Sequence, residues 1–276
     1  MQKLIFLGTG TSQGVPVVGC DCEVCRSTDP RDRRLRTSAL ICTHSTQIVI
    51  DAGPDFRYQM LRERLKGNAK DRLDGVVLTH SHHDHIGGLD DVRPYLHIMQ
   101  KPVALYGNEE TLRHVREEAF SYAFKENPYP GAPQFELHTV GFGSTNGIND
   151  AEDTADMESF TIGDIVLQPV KILHKADFPI LGYRTSDLAY LTDVKFIPDE
   201  SIKKIRGVRI LVINALRGWQ HPSHLSLPEA LEIIADIKPQ MAYLTHISHR
   251  FGRYEEVIKQ LPKNVQPACD GLTVDF

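Results

Sequence analysis

The sequence predicts an α/β protein organised around a metal site. Short apolar strands alternate with amphipathic helices. Several of those strands end on a residue able to bind a metal. The segment Thr79–Gly88, THSHHDHIGG, places four histidines and an aspartate within the six positions His80 to His85.

The strands come first. Ile48–Ile50 runs into Asp51, Val76–Leu78 into His80, Val170–Leu173 into His174, Leu188–Leu191 into Asp193, and Met241–Leu244 into His246. In open α/β sheets, ligands collect beyond the carboxyl ends of the strands. Five strands delivering imidazole or carboxylate there describe one convergent site. LAYLTD and MAYLTH are near-copies at Leu188–Asp193 and Met241–His246. They read either as the trace of an internal duplication or as two instances of a good buried strand.

Helices follow from period and caps. Leu225–Lys238 has a helical apolar period, with Ser226 and Glu229 at capping-box spacing and Pro228 in the first turn. Glu109–Lys125 reads as a charged amphipathic helix and Tyr254–Leu261 as a short one, while the polar stretch Gly141–Asp156 reads as a loop. No low-complexity linker divides the chain. One domain over residues 1–276 is expected, with a helical insertion near 90–130 lying over the site.

Bulk properties narrow the function classes. A content of 41% hydrophobic and 24% charged residues is ordinary for a globular chain. No apolar run approaches the ~20 residues of a membrane span, and the start MQKLIFLGTGTSQG lacks a signal-peptide pattern. A net charge of −5 argues against a broad nucleic-acid surface. Three of the five cysteines cluster, which suits a reducing compartment. A soluble cytoplasmic protein is expected.

The pattern H-x-H-x-D-H can serve two ions. His80 and His82 alternate on an extended segment and can face one ion; Asp84 and His85, on the following turn, can face a second. His174 and His246 supply further ligands, and Asp193 is placed to bridge. His83 is the odd position and points away. Two ions about 3.5–4 Å apart activate a shared water and clamp an oxygen-rich transition state. The expected reaction is therefore hydrolysis by a metal-bridging hydroxide, with no side-chain nucleophile. No G-x-S-x-G elbow and no P-loop are present.

These residues resemble the metallo-β-lactamase superfamily: THSHHDHIGG is similar to its signature, and LGTGTSQGVP resembles its phosphodiesterase and RNase Z branch. The resemblance implies a four-layer αββα sandwich with the metals at one edge of two sheets. It gives the signature residues, His174, Asp193 and His246 the roles argued above. It makes Asp51, the aspartate of a DAG segment, a support for the ligands.

Residues Gly19–Arg26, GCDCEVCR, add Cys20, Cys22 and Cys25 at C-x-C-x-x-C spacing. Thiolates this close in a reducing compartment favour zinc. His249, three residues after His246, is the candidate fourth ligand; the alternative is three free cysteines in a loop. GCDCEVCRSTDPRDRRLRTSALI is similar to the N-terminal segment of PhnP-type cyclic-phosphate phosphodiesterases. In that family, three such cysteines and a late THxxH histidine hold a structural zinc. Here the late segment is THISH, Thr245–His249. In the same branch a histidine ahead of the HPSHLSLPEAL helix lies beside the metals, and His224 is the matching position, with His221 its rival. Such an imidazole can protonate a leaving alkoxide or stabilise charge on phosphorus.

Other residues carry two readings each. Arg31, Arg33, Arg34 and Arg36 either steer phosphate or form a solvated loop with nearby aspartates. Arg217 and Trp219 either line the substrate pocket or sit outside it. Tyr122, Phe124 and Tyr129 either stack on a base or pack as a lid. His44, His97, His114 and His138, with Cys42 and Cys269, read as structural or surface positions.

The expected protein is a dinuclear phosphodiesterase acting on a small phosphodiester, cyclic or nucleotide-like. It would carry two divalent ions, manganese or zinc, and one structural zinc; a homodimer follows from the resemblance. Two rivals remain. One is an RNase Z-like tRNA 3′ endonuclease, disfavoured by the acidic charge and by the lack of an evident basic arm. The other is a PqqB-like protein of a redox-cofactor pathway.

Overall fold

Alternation of side chains along the strands sets the layers. In the computed structural model, which describes residues 2–142 and 157–276, fourteen strands form two sheets. The first sheet holds β1 (Lys3–Gly8), β2 (Ser38–Cys42), β3 (Gln47–Ile50), β4 (Gly75–Val77), β5 (Val103–Gly107) and β6 (Phe135–Thr139). The second holds β7 (Phe160–Ile162), β8 (Ile165–Lys175), β9 (Phe178–Thr185), β10 (Leu188–Leu191), β11 (Ile210–Asn214), β12 (Met241–Thr245) and β13 (Val265–Pro267). The last strand, β14 (Thr273–Asp275), returns to the first sheet beside β1.

Leu4, Phe6, Ile48 and Ile50 point between the sheets, where they meet Leu167, Tyr183, Leu188 and Tyr190. Their neighbours Ile5, Leu7 and Val49 face outward onto Phe56, Met60, Leu89 and Val92. On the second sheet, Ala189, Leu191, Leu211 and Ile213 face outward onto Ile205, Ala230, Ile234 and Ile237. Strands with two apolar faces must be covered on both sides. The result is the expected αββα sandwich.

The two sheets share one plan. In the order β14-β1-β2-β3-β4-β5-β6 the first three pairings are antiparallel and the last three parallel; the order β7-β8-β9-β10-β11-β12-β13 repeats it. The pivot strands are β3 and β10. The near-copies LAYLTD and MAYLTH belong to β10 and β12, two strands of one sheet flanking β11, so they do not mark the relation between halves. AYLT is simply a strand that suits a buried parallel position.

Two helical expectations change. The stretch near 90–130 contains β5, an integral strand, so its helices belong to the outer layer of the first sheet and not to an insertion. The expected helix Glu109–Lys125 is α-helical only over Glu109–His114, then widens to a π-turn at Val115–Ala119 and tightens at Ser121–Phe124. Phe120 is buried at the break, and Phe124 lies 5.8 Å from Phe135. The helix Leu227–Ile237 forms with the Ser226/Glu229 capping box in place. Most of the loop expected at Gly141–Asp156 lies outside the described residues. Among the described residues, no helix is long and apolar enough to cross a membrane.

The register of β8 gives a test. Leu167 is fully buried between the sheets, whereas its neighbour Val166 is 53% exposed. Leu167→Ala should cost about 2–5 kcal/mol in denaturant unfolding. Val166→Ala should stay within about 0.5 kcal/mol. Equal effects would contradict the register.

Candidate metal centre

The histidine-rich segment leaves β4 and turns at once into a short helix, His83–Ile86. Its start is fixed by β9 of the second sheet. Tyr183 Oη donates to the Leu78 carbonyl at 2.6 Å, and Leu181 N–H donates to the Thr79 carbonyl at 3.0 Å. The DAG segment after β3 holds the far side. Ala52 N–H donates to His85 O, and Gly88 N–H to Ala52 O, both at 2.8 Å. A Cβ on Gly53 would lie 2.0 Å from the Asp84 carbonyl oxygen, and one on Gly88 would lie 2.0 Å from the Gly53 carbonyl oxygen. Both glycines are needed because backbone touches backbone there.

Asp51 is fully buried and organises the histidines. Its Oδ1 accepts from Thr79 N–H, and its Oδ2 accepts from Thr79 Oγ1–H and from His85 Nδ1, at 2.8, 2.8 and 2.7 Å. Thr79 Oγ1 in turn accepts from His80 Nδ1 at 2.9 Å. His174 Nδ1 meets the Ser223 carbonyl at 2.8 Å. In all three imidazoles the δ nitrogen is spent on a support, which turns Nε2 toward the site; that of His80 lies 2.9 Å from His82 Nδ1.

Those nitrogens converge. Ligand atoms of His80, His82 and His174 gather in one group, and those of Asp84, His85 and His246 in another. Asp193 stands between the groups. Its Oδ2 lies 3.2 Å from His85 Nε2, and its Oδ1 lies 3.1 Å from His246 Nε2 and 3.5 Å from His224 Nδ1. Asp84 Oδ2 lies 3.3 Å from His85 Nε2 and 3.6 Å from His246 Nε2. Yet His85 Nε2, His224 Nδ1 and both nitrogens of His246 have no hydrogen-bond partner among the described residues. The atoms are close but not aimed at one another. Ligands about 2.0–2.1 Å from a tetrahedral ion stand about 3.3 Å apart, so the donor set fits metal ions.

Charge in the site points the same way. Burial pulls His80 and His82 below the ordinary imidazole range and His224 down to about 2. Burial also opposes charge on His85, but Asp193, Asp84 and Asp51 carry it well above that range. Three carboxylates around one imidazole make a site that attracts cations.

Two ligand positions have unusual backbones. Asp193 and His246 follow their strands with φ of 58° and 54°, and Asp51 has φ 60°. The left-handed region is uncommon outside glycine, although Asp and His enter it more readily than most, and it concentrates at functional sites. His174 differs from expectation. It lies inside β8, at a register shift between Leu173 and Lys175, so a bulge aims it. Phe178, which the sequence did not single out, lies 5.3–6.0 Å from the rings of His82, His174 and His80. Thr79 and Ser223 were also missed, because their roles depend on partners fixed only in the fold. His83 is exposed and sits over Gly87.

A second cluster lies apart. His249 Nδ1 is 3.2 Å from Cys20 Sγ and 3.5 Å from the Sγ atoms of Cys22 and Cys25. Val17 N–H and Cys25 N–H donate to two of the thiols. The glycine loop after β1 joins the clusters: Ile247 N–H donates to Thr9 O, and Thr11 N–H to Ile247 O.

Three of the four arginines in the basic stretch are engaged in structural contacts. Arg34 is buried and donates to Thr9 Oγ1 and the Ala268 carbonyl, Arg36 pairs with Asp55 at 2.9 Å, and Arg31 pairs with Asp29. Arg33 is exposed. Tyr122 donates to Asp90 and packs in the outer layer. Arg217 lies 5.0 Å over the ring of Trp219, which is half exposed, on the loop that carries His221 and His224.

Replacing Asp51 with Ala should weaken metal binding about 10- to 100-fold. Gly53→Ala should do so as well, by pushing Asp84 away. Competition with a chromophoric chelator measures both; unchanged affinity would refute the support role.

A Beta-lactamase superfamily domain model matches residues 46–247. A solved structure described as a new diphosphatase from the PhnP family is 40% identical with a TM-score of 0.86, covering 100% of this chain and 98% of that one. A Porphyromonas gingivalis protein named octanoyltransferase is 40% identical over 273 residues, 98% of this chain and 51% of that protein. Coenzyme PQQ synthesis protein B of Rhodopseudomonas palustris is 29% identical over 141 residues, 48% of this chain and 44% of that protein. The chain spans about half the length of these two curated relatives.

Proposed function

The chain belongs to the beta-lactamase superfamily, in its PhnP branch, and from that premise we propose that it is a dinuclear metal phosphodiesterase acting on a small, cyclic or nucleotide-like, phosphodiester. The observation that carries this reading is Asp193, whose two oxygens lie 3.1–3.5 Å from His85, His246 and His224. Ligand atoms of His80 and His174 also lie within 4.8 Å of it, so one carboxylate reaches both ligand groups and His224.

In this reading His80, His82 and His174 would hold one ion and Asp84, His85 and His246 the other, with Asp193 shared between them. Manganese and zinc both suit imidazole and carboxylate ligands. Bound there, two divalent ions would supply an activated water and a clamp for phosphoryl oxygens. Cys20, Cys22, Cys25 and His249 would hold a structural zinc. Thr79, Asp51 and Ser223 keep the Nε2 lone pairs of His80, His85 and His174 directed inward. Arg217 and Trp219 would contact the substrate beyond the phosphate.

His224 acts on the phosphate. With burial holding its pKa near about 2, the ring meets substrate as a neutral imidazole. It would therefore donate an N–H hydrogen bond to a phosphoryl or leaving oxygen rather than deliver a proton from an imidazolium. Phe178 walls the side of His80, His82 and His174.

The octanoyltransferase name belongs to a protein of which the match covers 51%. The convergent histidines and aspartates here support hydrolysis rather than acyl transfer.

The test pairs metal analysis with a screen of cyclic ribose phosphates, cyclic nucleotides and linear diesters. Release of phosphomonoester by the metal-loaded protein is expected; full loading without release would reject the reading. Cleavage confined to tRNA 3′ ends would favour the nuclease alternative. His224→Ala should lower kcat about 10²- to 10³-fold with little change in KM. The wild-type kcat should show no ionisation of His224 between about pH 6 and pH 8, since a group titrating near 2 stays neutral there. A fall of kcat with rising pH that vanishes in His224→Ala would instead make it a general acid.

A further inference from the structure

We infer that Asn214 is a positioning residue that fixes both Asp193 and His224, an inference that rests on the two-ion reading above. Asn214 ends β11, between the strands that deliver Asp193 and His246. It is fully buried, with 0% exposure. Its side-chain amide pairs with both backbone groups of Val194: Oδ1 accepts from Val194 N–H at 2.6 Å, and Nδ2 donates to the Val194 carbonyl at 3.1 Å. The amide thus does for the chain after β10 what another strand would do, at the point where the sheet no longer reaches.

Val194 has neighbours in both directions. On one side is Asp193, in a left-handed backbone conformation, φ 58°, that directs its carboxylate. On the other, the same Val194 carbonyl accepts from Leu225 N–H at 2.8 Å, the residue after His224. One buried amide therefore holds the backbone from which the shared carboxylate projects and, through Val194, the backbone next to the histidine 3.5 Å away. A buried amide left with either half unpaired is costly. The side chain's hydrogen bonds go to Val194 backbone and not to a proposed metal ligand, so its effect is on placement.

The test uses the full-length metal-loaded protein with Asn214→Leu and Asn214→Asp. Leucine keeps the branching at Cγ, with a larger volume, and removes both hydrogen bonds; aspartate keeps the acceptor for Val194 N–H. The dinuclear-site metal affinity of Asn214→Leu should fall about 10- to 100-fold by chelator competition, while zinc at the cysteine cluster is retained. Its kcat on a diester that the wild type cleaves should fall with KM nearly constant, and Asn214→Asp should lie between. If leucine prevents folding, the aspartate variant decides. Wild-type metal affinity and kcat in a folded variant would overturn the inference, as would parallel loss of metal at the cysteine cluster, which marks a general structural role. Failure of the wild type itself to cleave any diester would instead reject the two-ion phosphodiesterase reading.

Discussion

One imidazole, that of His85, is gripped from both sides by aspartates that end the two pivot strands. Asp51 follows β3 and holds Nδ1 at 2.7 Å; Asp193 follows β10 and faces Nε2 at 3.2 Å. β3 and β10 are the strands at which each sheet changes from antiparallel to parallel pairing. Both aspartates take a φ near 60°. The repeated half-plan of the sandwich therefore closes on a single ring, at the topological switch where open sheets bind ligands. The same Asp51 reaches His80 through Thr79, so one buried carboxylate orients histidines of both ligand groups.

The first glycine segment does a different job from the one its motif suggests. Thr9 and Thr11 hydrogen-bond to Ile247 from both faces, and Ile247 lies between His246 and His249. Arg34, buried beneath it, ties Thr9 to Ala268 near the end of the chain. The loop thus holds the backbone between the histidine–aspartate site and the cysteine cluster. Order in one cluster restrains a residue of the other through the two intervening residues, Ile247 and Ser248.

Much of this was legible in the sequence, for physical reasons. A strand that ends on a histidine or aspartate announces its own function, and Asp51, His80, Asp193 and His246 could be read in that way. The three cysteines and His249 were legible because thiols so close in sequence have few other uses. What could not be read depends on long-range geometry. His174 faces the site from a bulge, which alternation along β8 does not reveal. Ser223 and Asn214 matter through His174 and Val194, and Phe178 through His80 and His82, all distant in sequence. The arginine stretch looked like an anion site, but Arg34 is consumed by backbone carbonyl and hydroxyl groups once the chain folds. β5 hid within a helix-rich stretch because five residues give too short a period to separate strand from helix.

Electron paramagnetic resonance of the manganese-loaded protein, with zinc kept at the cysteines, tests the two-ion site most directly. Two manganese ions about 3.5–4 Å apart, bridged by one carboxylate, should give a coupled spectrum whose shape depends on temperature. An uncoupled six-line signal at full loading would contradict a site built on a shared Asp193.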